Sequence, residues 1–591
     1  MPKCTPADRE GTIDPEWHDL LEATVQGDEQ ATSLLDSART ADPATRSELA
    51  ALAASSGRLA VTAGDHETAE RLLNVAIELS DATGVERARL LLDLARASES
   101  RGDITRSREL LNDVVSLAEA GDDVDLLVDA AVRSTFPPDW RAGDRRTAAM
   151  LDLAERLDAE RTVGASRRGA ILAARSMVEM RIPISADPQQ QVAWVTRASV
   201  AQPLAEEALT LTEGRSDADR LVALVAWRST HRGPTWLLRR LEVSAQAVDL
   251  AQRLLDHDRL ADASVGMAVD SLEAGDRAGH ARAVATLRWA ASSDGNPRLR
   301  WWAATVAAGA ALLDGDTDTA TRHRAEADAV GDRHALPGWV AAELLLAAEI
   351  TITTDDATEM RKYLGPDDFP VLESPIARAS VALMSAILGD VERAGRYATL
   401  AVRALDQESS YLLCLALLGR TAATIGDAEL GGVLLERLAP WRGRVAVDAS
   451  GWWCIGPVDL AIAELEVVAG RGADAATSLD AAEELARSIG DVRSLQRVDE
   501  VRARLGRPAD GARPSPAPET SAGIDELSDR ELDVLRLIAR GRTNAAIGAE
   551  LSYSPSTIRA DTVSIYRKLG VRGRAEAAAV AVTAGLLDPT T

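Results

Sequence analysis

Between Thr543 and Arg574 the sequence sets five cations, Arg559, Arg567, Lys568, Arg572 and Arg574, against two anions, Glu550 and Asp561. Guanidinium and ammonium groups at this density suit phosphate, and an arginine fork also suits the edge of a guanine. This is the chemistry of binding, not of making bonds. Elsewhere the chain offers little for catalysis. The seven histidines are scattered, and no nucleophile elbow and no zinc-ligand spacing occurs. Cys4, Cys414 and Cys454 are odd in number and far apart, which fits neither a disulfide framework nor a metal site. No enzyme, no cofactor and no metal is expected.

The elements that must position these cations are short helices. Ser528-Asp529-Arg530-Glu531 reads as a capping box, with Val534, Leu535 and Ile538 as the buried stripe of the helix it starts. Gly541 ends that helix, and Thr543 caps a second one carrying Ala546, Ile547 and Leu551. After a turn through Ser552, Tyr553 and Ser554, a third helix starts at Ser554 or Ser556. It is buried through Ile558, Thr562, Ile565 and Leu569 and ends at Gly570. A fourth runs from about Arg574 to Ala584. A short helix, a tight turn and a longer helix make a duplex reader, in which the longer helix enters the major groove near its N-terminus.

The segment closely resembles the LuxR-type helix-turn-helix domain. The resemblance is carried by Arg530-Glu531, Val534-Leu535, Ala539, Gly541, Asn544, Ile547, Leu551, Ser554, Thr557-Ile558-Arg559, Lys568-Leu569-Gly570-Val571 and Arg574-Ala575-Glu576. In that family the groove-facing residues lie at and after the basic residue of the Thr-Val-Lys motif, which here implies Arg559, Ala560 and Val563. Helical spacing agrees, because these positions lie opposite Ile558, Ile565 and Leu569. Arg559 is suited to pair with guanine, worth about 1–3 kcal/mol of discrimination, and Ala560 and Val563 to touch thymine methyls. Thr543, Asn544, Thr557, Arg567 and Lys568 are the candidates for phosphate contacts. Three positions depart from the family pattern. Asp561 stands where the family usually has His, and a carboxylate so near DNA is unfavourable unless it pairs with a neighbour or accepts from cytosine. Ser552 fills a turn position commonly held by Gly, and Ala546 replaces a common Glu.

Upstream, a short pattern recurs: Gly-Asp, a small residue five positions after the Gly, then an amphipathic run. It begins at Gly64, Gly102, Gly143, Gly275, Gly315, Gly389 and Gly426, with a weaker copy at Gly470 where Arg471 replaces Asp. The small residue is Ala69, Ser107, Ala148, Ala320, Ala394, Gly431 or Ala475; His280 is the exception. Gly ends one helix at positive φ and Asp caps the next. Adjacent copies lie 37 to 44 residues apart; the gap from 315 to 389 is a doubled one, and that from 143 to 275 has room for about three poorly marked units. The array is expected to be an α-solenoid similar to degenerate tetratricopeptide repeats. Trp452-Trp453-Cys454 interrupts the helical pattern as a loop docking on a neighbouring repeat, and Trp301-Trp302 precedes an Ala-rich helix. Core packing is favoured for these indoles over a pocket for a ring-bearing ligand.

The expected fold is therefore all-α: a tetratricopeptide-like solenoid over 1–505, a Pro/Ala-rich linker over 506–523 and a four-helix LuxR-type domain over 524–588, with its helix-turn-helix at about 543–562. Large ATP-dependent LuxR regulators carry a similar repeat region behind a P-loop ATPase. No G-x-x-x-x-G-K-[ST] occurs here, so ATP binding is not carried over. The N-terminus has no apolar run and no stretch of about 18 uninterrupted apolar residues occurs. The expected setting is the bacterial cytoplasm, with no membrane partner. The resemblance implies a transcription activator that binds double-stranded DNA as a homodimer and recruits RNA polymerase, controlled by a small-molecule or protein signal on the repeats. The alternative is a helical-repeat interaction scaffold with vestigial DNA contacts, which the net charge of −26 favours.

Overall fold

The computed structural model describes residues 15–26, 30–121, 123–135, 145–161, 164–180, 188–334, 336, 339–354, 357–364, 375–405, 411–448, 451, 453–505, 527–540, 542, 544–569, 571, 577, 580, 581 and 586. The linker reading at 506–523 lies outside them, as does most of the expected fourth helix of the C-terminal domain.

The repeat region is built of antiparallel helix pairs. Among the described residues they run from Pro43–Thr62 with His66–Leu79, through Gly84–Ser100 with Ile104–Ala120, to Val458–Val468 with Gly472–Ile489 and a last helix Val492–Leu505. The recurring Gly-Asp is the turn inside each pair. Gly64, Gly102, Gly275, Gly315, Gly389, Gly426 and Gly470 all take φ between 72° and 89°, where a side chain would strain the backbone. The following Asp caps the second helix. Asp65, Asp103, Asp276, Asp390 and Asp427 each accept from the backbone N–H three residues on, and Asp316 accepts from Thr319 in the same way. Arg471, at the weaker copy, makes no such cap. The small residues five positions on are buried where the paired helices meet: Ala69, Ala320, Ala394 and Ala475 have no exposed surface. His280 fits the same slot by hydrogen-bonding the Ala268 carbonyl at 3.0 Å.

Gly143 lies outside the described residues. Among the described residues the gap after it holds two further pairs, Ala165–Glu179 with Pro188–Thr212 and Asp217–Thr230 with Leu237–Leu254, which divide it into three repeat intervals. These intervals are long because Pro188–Thr212 runs for 25 residues and a 3-10 turn, Pro234–Trp236, precedes the last of these helices. The doubled gap is filled by Trp339–Thr354 with Ala357–Tyr363.

Two details differ from expectation. The interruption near Trp453 is an antiparallel β-hairpin, Val445–Val447 paired with Cys454–Pro457. Alternation of β-branched residues is too short there to announce strands. Val445, Val447 and Cys454 pack with Val269, Leu272, Leu313 and Ile489, so the hairpin docks on helices nearly two hundred residues earlier as well as on its neighbours. Trp301 and Trp302 lie inside the helix Pro297–Leu313, not before it, and Trp301 is core. Trp453 is core as well.

Other contacts link distant repeats. Gly102 lies against Pro297 and His334. Arg493 donates to Glu349 at 3.1 Å, to Thr353 at 3.1 Å and to the Cys454 carbonyl at 2.9 Å. An ionic core sits midway along the described repeats. Asp270, fully buried, accepts twice from Arg228 at 2.8 Å, from Arg240 at 2.7 Å and from Ser244 at 3.0 Å. Arg240 also donates to Glu273 at 2.5 Å. No described helix is long and apolar enough to cross a membrane.

Candidate nucleic-acid interface

The C-terminal domain has a core of its own, drawn from Leu527, Val534, Leu535, Leu537, Ile538, Ile547, Ile558, Ile565, Ala577 and Ala581. Three helices carry most of it: Asp529–Ala539, Asn544–Leu551 and Pro555–Leu569. The first opens on the expected capping box, with Ser528 accepting from the Glu531 N–H and Glu531 accepting from the Ser528 N–H. The second closes on Ser552, whose φ of 60° is left-handed, while Tyr553 N–H returns to the Gly548 carbonyl at 2.8 Å. That is a Schellman-type stop, usually made with Gly. The third helix is capped by Ser554, which accepts from the Thr557 N–H at 3.1 Å and shares a hydroxyl–hydroxyl bond with Thr557 at 2.7 Å. Pro555 follows at the first helical position, where its missing N–H costs nothing.

The third helix is fastened by two stripes. Ile558, Thr562, Ile565 and Leu569 form the apolar one; Ile558 and Ile565 are fully buried, and Thr562 spends its hydroxyl on the Ile558 carbonyl at 2.8 Å. Beside it, Asp561, Ser564 and Lys568 form a polar seam at helical spacing against the start of the first helix. Glu531 is the hub. Its carboxylate, only 5% exposed, accepts from Lys568 Nζ at 2.6 Å, Ser564 Oγ at 2.7 Å, and Ser528 N and Oγ at 2.8 Å each. Burial raises its pKa, but these donors outweigh burial and hold the carboxyl down at about 2. One step along, Arg530 donates to Asp561 at 2.5 Å and lies over the Tyr553 ring at 5.4 Å.

The residues expected to read or hold a duplex distribute as follows. Helix positions 559, 560, 563 and 567 fall outside both stripes; the side chains of Arg559, Ala560, Val563 and Arg567 lie outside the described residues, as do that of Asn544 and the whole of Thr543. Thr557 is in the first turn of the third helix and is tied to Ser554. Lys568 is 27% exposed, with its ammonium on Glu531. The expectation for the fourth helix touches the described residues at Ala577, Val580 and Ala581; Ala577 and Ala581 join the core. Sequence reasoning did not anticipate the Glu531 hub beyond its cap. The signal was present in Ser564 and Lys568, four apart on one face.

Comparison with known proteins adds to this geometry. Residues 525–581 match the model of "Bacterial regulatory proteins, luxR family". Over 62 residues the chain is 48% identical to the probable transcriptional regulatory protein NarL of Mycobacterium tuberculosis, covering 10% of this chain and 29% of that protein. It is 39% identical over 62 residues to the transcriptional regulatory protein YdfI of Bacillus subtilis, with the same coverage. The chain thus spans under a third of the length of these curated relatives. Among solved structures, yeast Tom70 aligns over 84% of this chain and 97% of its own, at 13% identity and a TM-score of 0.30. The C-terminal segment is a LuxR-family helix-turn-helix domain, preceded by a large region of antiparallel helical repeats.

Proposed function

We propose that this chain is a sequence-specific, DNA-binding transcription regulator, whose repeats receive a ligand or protein signal and whose C-terminal domain acts on promoter DNA. The observation that carries this reading is the third helix. It is fastened by its apolar stripe and by the Glu531 seam, which leaves positions 559, 560 and 563 outside the fastened faces, in a segment that matches the luxR family over 525–581. In this reading Arg559 pairs with guanine, and Ala560 and Val563 touch thymine methyls. Thr543, Asn544, Thr557, Arg567 and Lys568 serve phosphates, Lys568 by leaving Glu531 or through its backbone turn. Two domains bind a two-fold site and contact RNA polymerase as an activator does, with the segment around Ala577–Ala584 pairing them.

Charge is divided in a way that suits this arrangement. Residues 506–591 carry eleven basic and eleven acidic side chains, so the whole excess of −26 falls in residues 1–505. An acidic repeat region opposes DNA, and the reader therefore depends on its local cations. The same excess favours the second reading, a repeat scaffold whose DNA contacts are vestigial. Fluorescence anisotropy separates the two. The fragment 520–591 and the full chain are titrated onto promoter DNA from the protein's own locus across a salt series. The regulator reading expects salt-sensitive binding that Arg559→Ala weakens about tenfold or more, within the range for a lost bidentate base contact. Absence of binding by the fragment at low salt would leave the scaffold.

A further inference from the structure

Asp561 is an awkward residue for a DNA reader. It stands in the second turn of the third helix, in the half that enters a major groove in proteins of this build. A carboxylate there repels phosphate. Yet the side chain is only 5% exposed and is turned inward, with one oxygen on the Arg530 guanidinium at 2.5 Å and the other buried without a hydrogen-bond partner. Arg530 comes from the first turn of the first helix, and its guanidinium also lies over the ring of Tyr553, in the turn between the second and third helices. One side chain thus touches both of the other elements that must keep a fixed relation for the third helix to read bases.

We propose that Arg530 is a positioning residue for DNA reading: it folds the Asp561 carboxylate inward and cancels its charge, so that the third helix meets phosphate without a free carboxylate. This rests on the DNA-reading function proposed above. Arg530 need not touch DNA to act. One guanidinium N–H holds one carboxylate oxygen while the planar group lies over the Tyr553 ring, a pairing of contacts that a lysine would make less well. Pairing with Asp561 holds Arg530 above its ordinary pKa, so it stays charged at any pH the protein meets.

The proposal makes a reversal of signs testable. In Arg530→Ala the carboxylate loses its partner, moves to solvent and faces the phosphates. DNA binding should fall about tenfold at low salt, with the loss shrinking as screening rises. Adding Asp561→Asn removes the offending charge, so Arg530→Ala/Asp561→Asn should bind within about twofold of the unaltered protein. Asp561→Asn alone should bind at least as tightly as the unaltered protein. The measurement is anisotropy of the full chain, with the 520–591 fragment beside it, from about 50 to 200 mM salt, the range over which phosphate contacts are strongly screened. Thermal melts of the same variants accompany it. Recovery in the double variant supports the proposal even if its melting temperature stays below that of the unaltered protein. A double variant as weak as Arg530→Ala overturns it, since Arg530 would then itself contact DNA or act through stability alone. Unchanged binding by Arg530→Ala also overturns it. If the unaltered fragment and chain both fail to bind at low salt, the DNA-reading function falls and the positioning role falls with it. That outcome is distinct from binding that ignores Arg530.

Discussion

Glu349 and Glu99 in the repeats and Glu531 in the C-terminal domain are buried acids shifted in opposite directions. In the repeats, Glu349 has one oxygen on Arg493 and the other buried without a partner, and burial pushes its pKa up to about 8 in spite of the arginine. Glu99 is likewise pushed up to about 7 by burial, against Arg133. In the C-terminal domain Glu531 is also buried, but four donor atoms converge on it and its carboxyl is held at about 2. What decides the sign is how many donors face the carboxylate, because each one compensates part of the lost hydration. The repeats use acids chiefly to cap helices and to tie one pair to another. In the reader, Ser564 and Lys568 of the third helix are among the donors gathered on Glu531.

The largest effect should come from the ionic core of the repeats. Replacing Asp270 with Asn leaves Arg228 and Arg240 buried without their shared counter-charge, Arg240 keeping only Glu273. Breaking a buried pair in this way costs about 3–5 kcal/mol. In thermal unfolding, Asp270→Asn should lower the repeat transition steeply and leave the C-terminal transition in place. A joint shift of both would show that the two regions unfold as one unit.

The next effect is a pH dependence of opposite sign at Glu531 and at the repeat residues Glu349 and Glu99. Glu531 has a folded pKa of about 2, below its ordinary 4.5. Its contribution to stability is complete above the ordinary value and is lost as pH falls from about 4.5 toward 2. The difference corresponds to about 3 kcal/mol, removed in Glu531→Gln. Glu349 and Glu99 have raised values, so the folded repeats bind protons that the unfolded chain has released. Their contribution works against stability as pH rises from about 4.5 through 7 to 8. Melting followed from pH 8 down to 3 should show the C-terminal transition flat until it falls below about pH 4.5. Glu349→Gln should raise the repeat transition at pH 9 and leave it nearly unchanged at pH 4. A Glu349→Gln effect as large at pH 4 as at pH 9 would contradict the contrast.

How far the sequence disclosed these arrangements depends on how local each one is. Gly-Asp turns could be read because glycine's left-handed φ and the Asp cap act within five residues of each other. The capping box at Ser528–Glu531 and the apolar stripe of the third helix were legible for the same reason. Arg493 with Glu349 and Gly102 against Pro297 could not be read, since nothing in residue type or spacing says which distant helix will lie alongside. The hairpin at Val445–Pro457 showed only as a break in helical periodicity, three or four residues being too few for alternation to declare a strand. Asp561 could be read as an anomaly with two possible resolutions, and only the fold shows that Arg530 supplies the first of them. A turn made without glycine was invisible as well. Leu255 takes φ 53° ahead of the cap Asp256, and leucine carries no signal for that conformation.

That last point gives the smallest and most discriminating test. Ser552 and Leu255 are the two described non-glycine residues with positive φ, one in each region. A side chain in the left-handed region costs about 1–2 kcal/mol, and glycine returns part of the gain through the entropy of its unfolded chain. Ser552→Gly and Leu255→Gly should therefore each stabilise by about 0.5–1 kcal/mol. The gains should appear in different transitions, Ser552→Gly in the C-terminal one and Leu255→Gly in that of the repeats. Leu255 is half exposed, so little packing is lost with its side chain. Ser552→Gly carries a further consequence for the reader. The turn sets the entry of the third helix, and Tyr553, which holds Arg530, follows it directly. If the left-handed turn is already fully formed with serine, the glycine variant should melt higher while binding promoter DNA unchanged. Weaker DNA binding by a more stable domain would mean that the serine limits the turn's freedom, and that the stiffness of this joint belongs to the reading function.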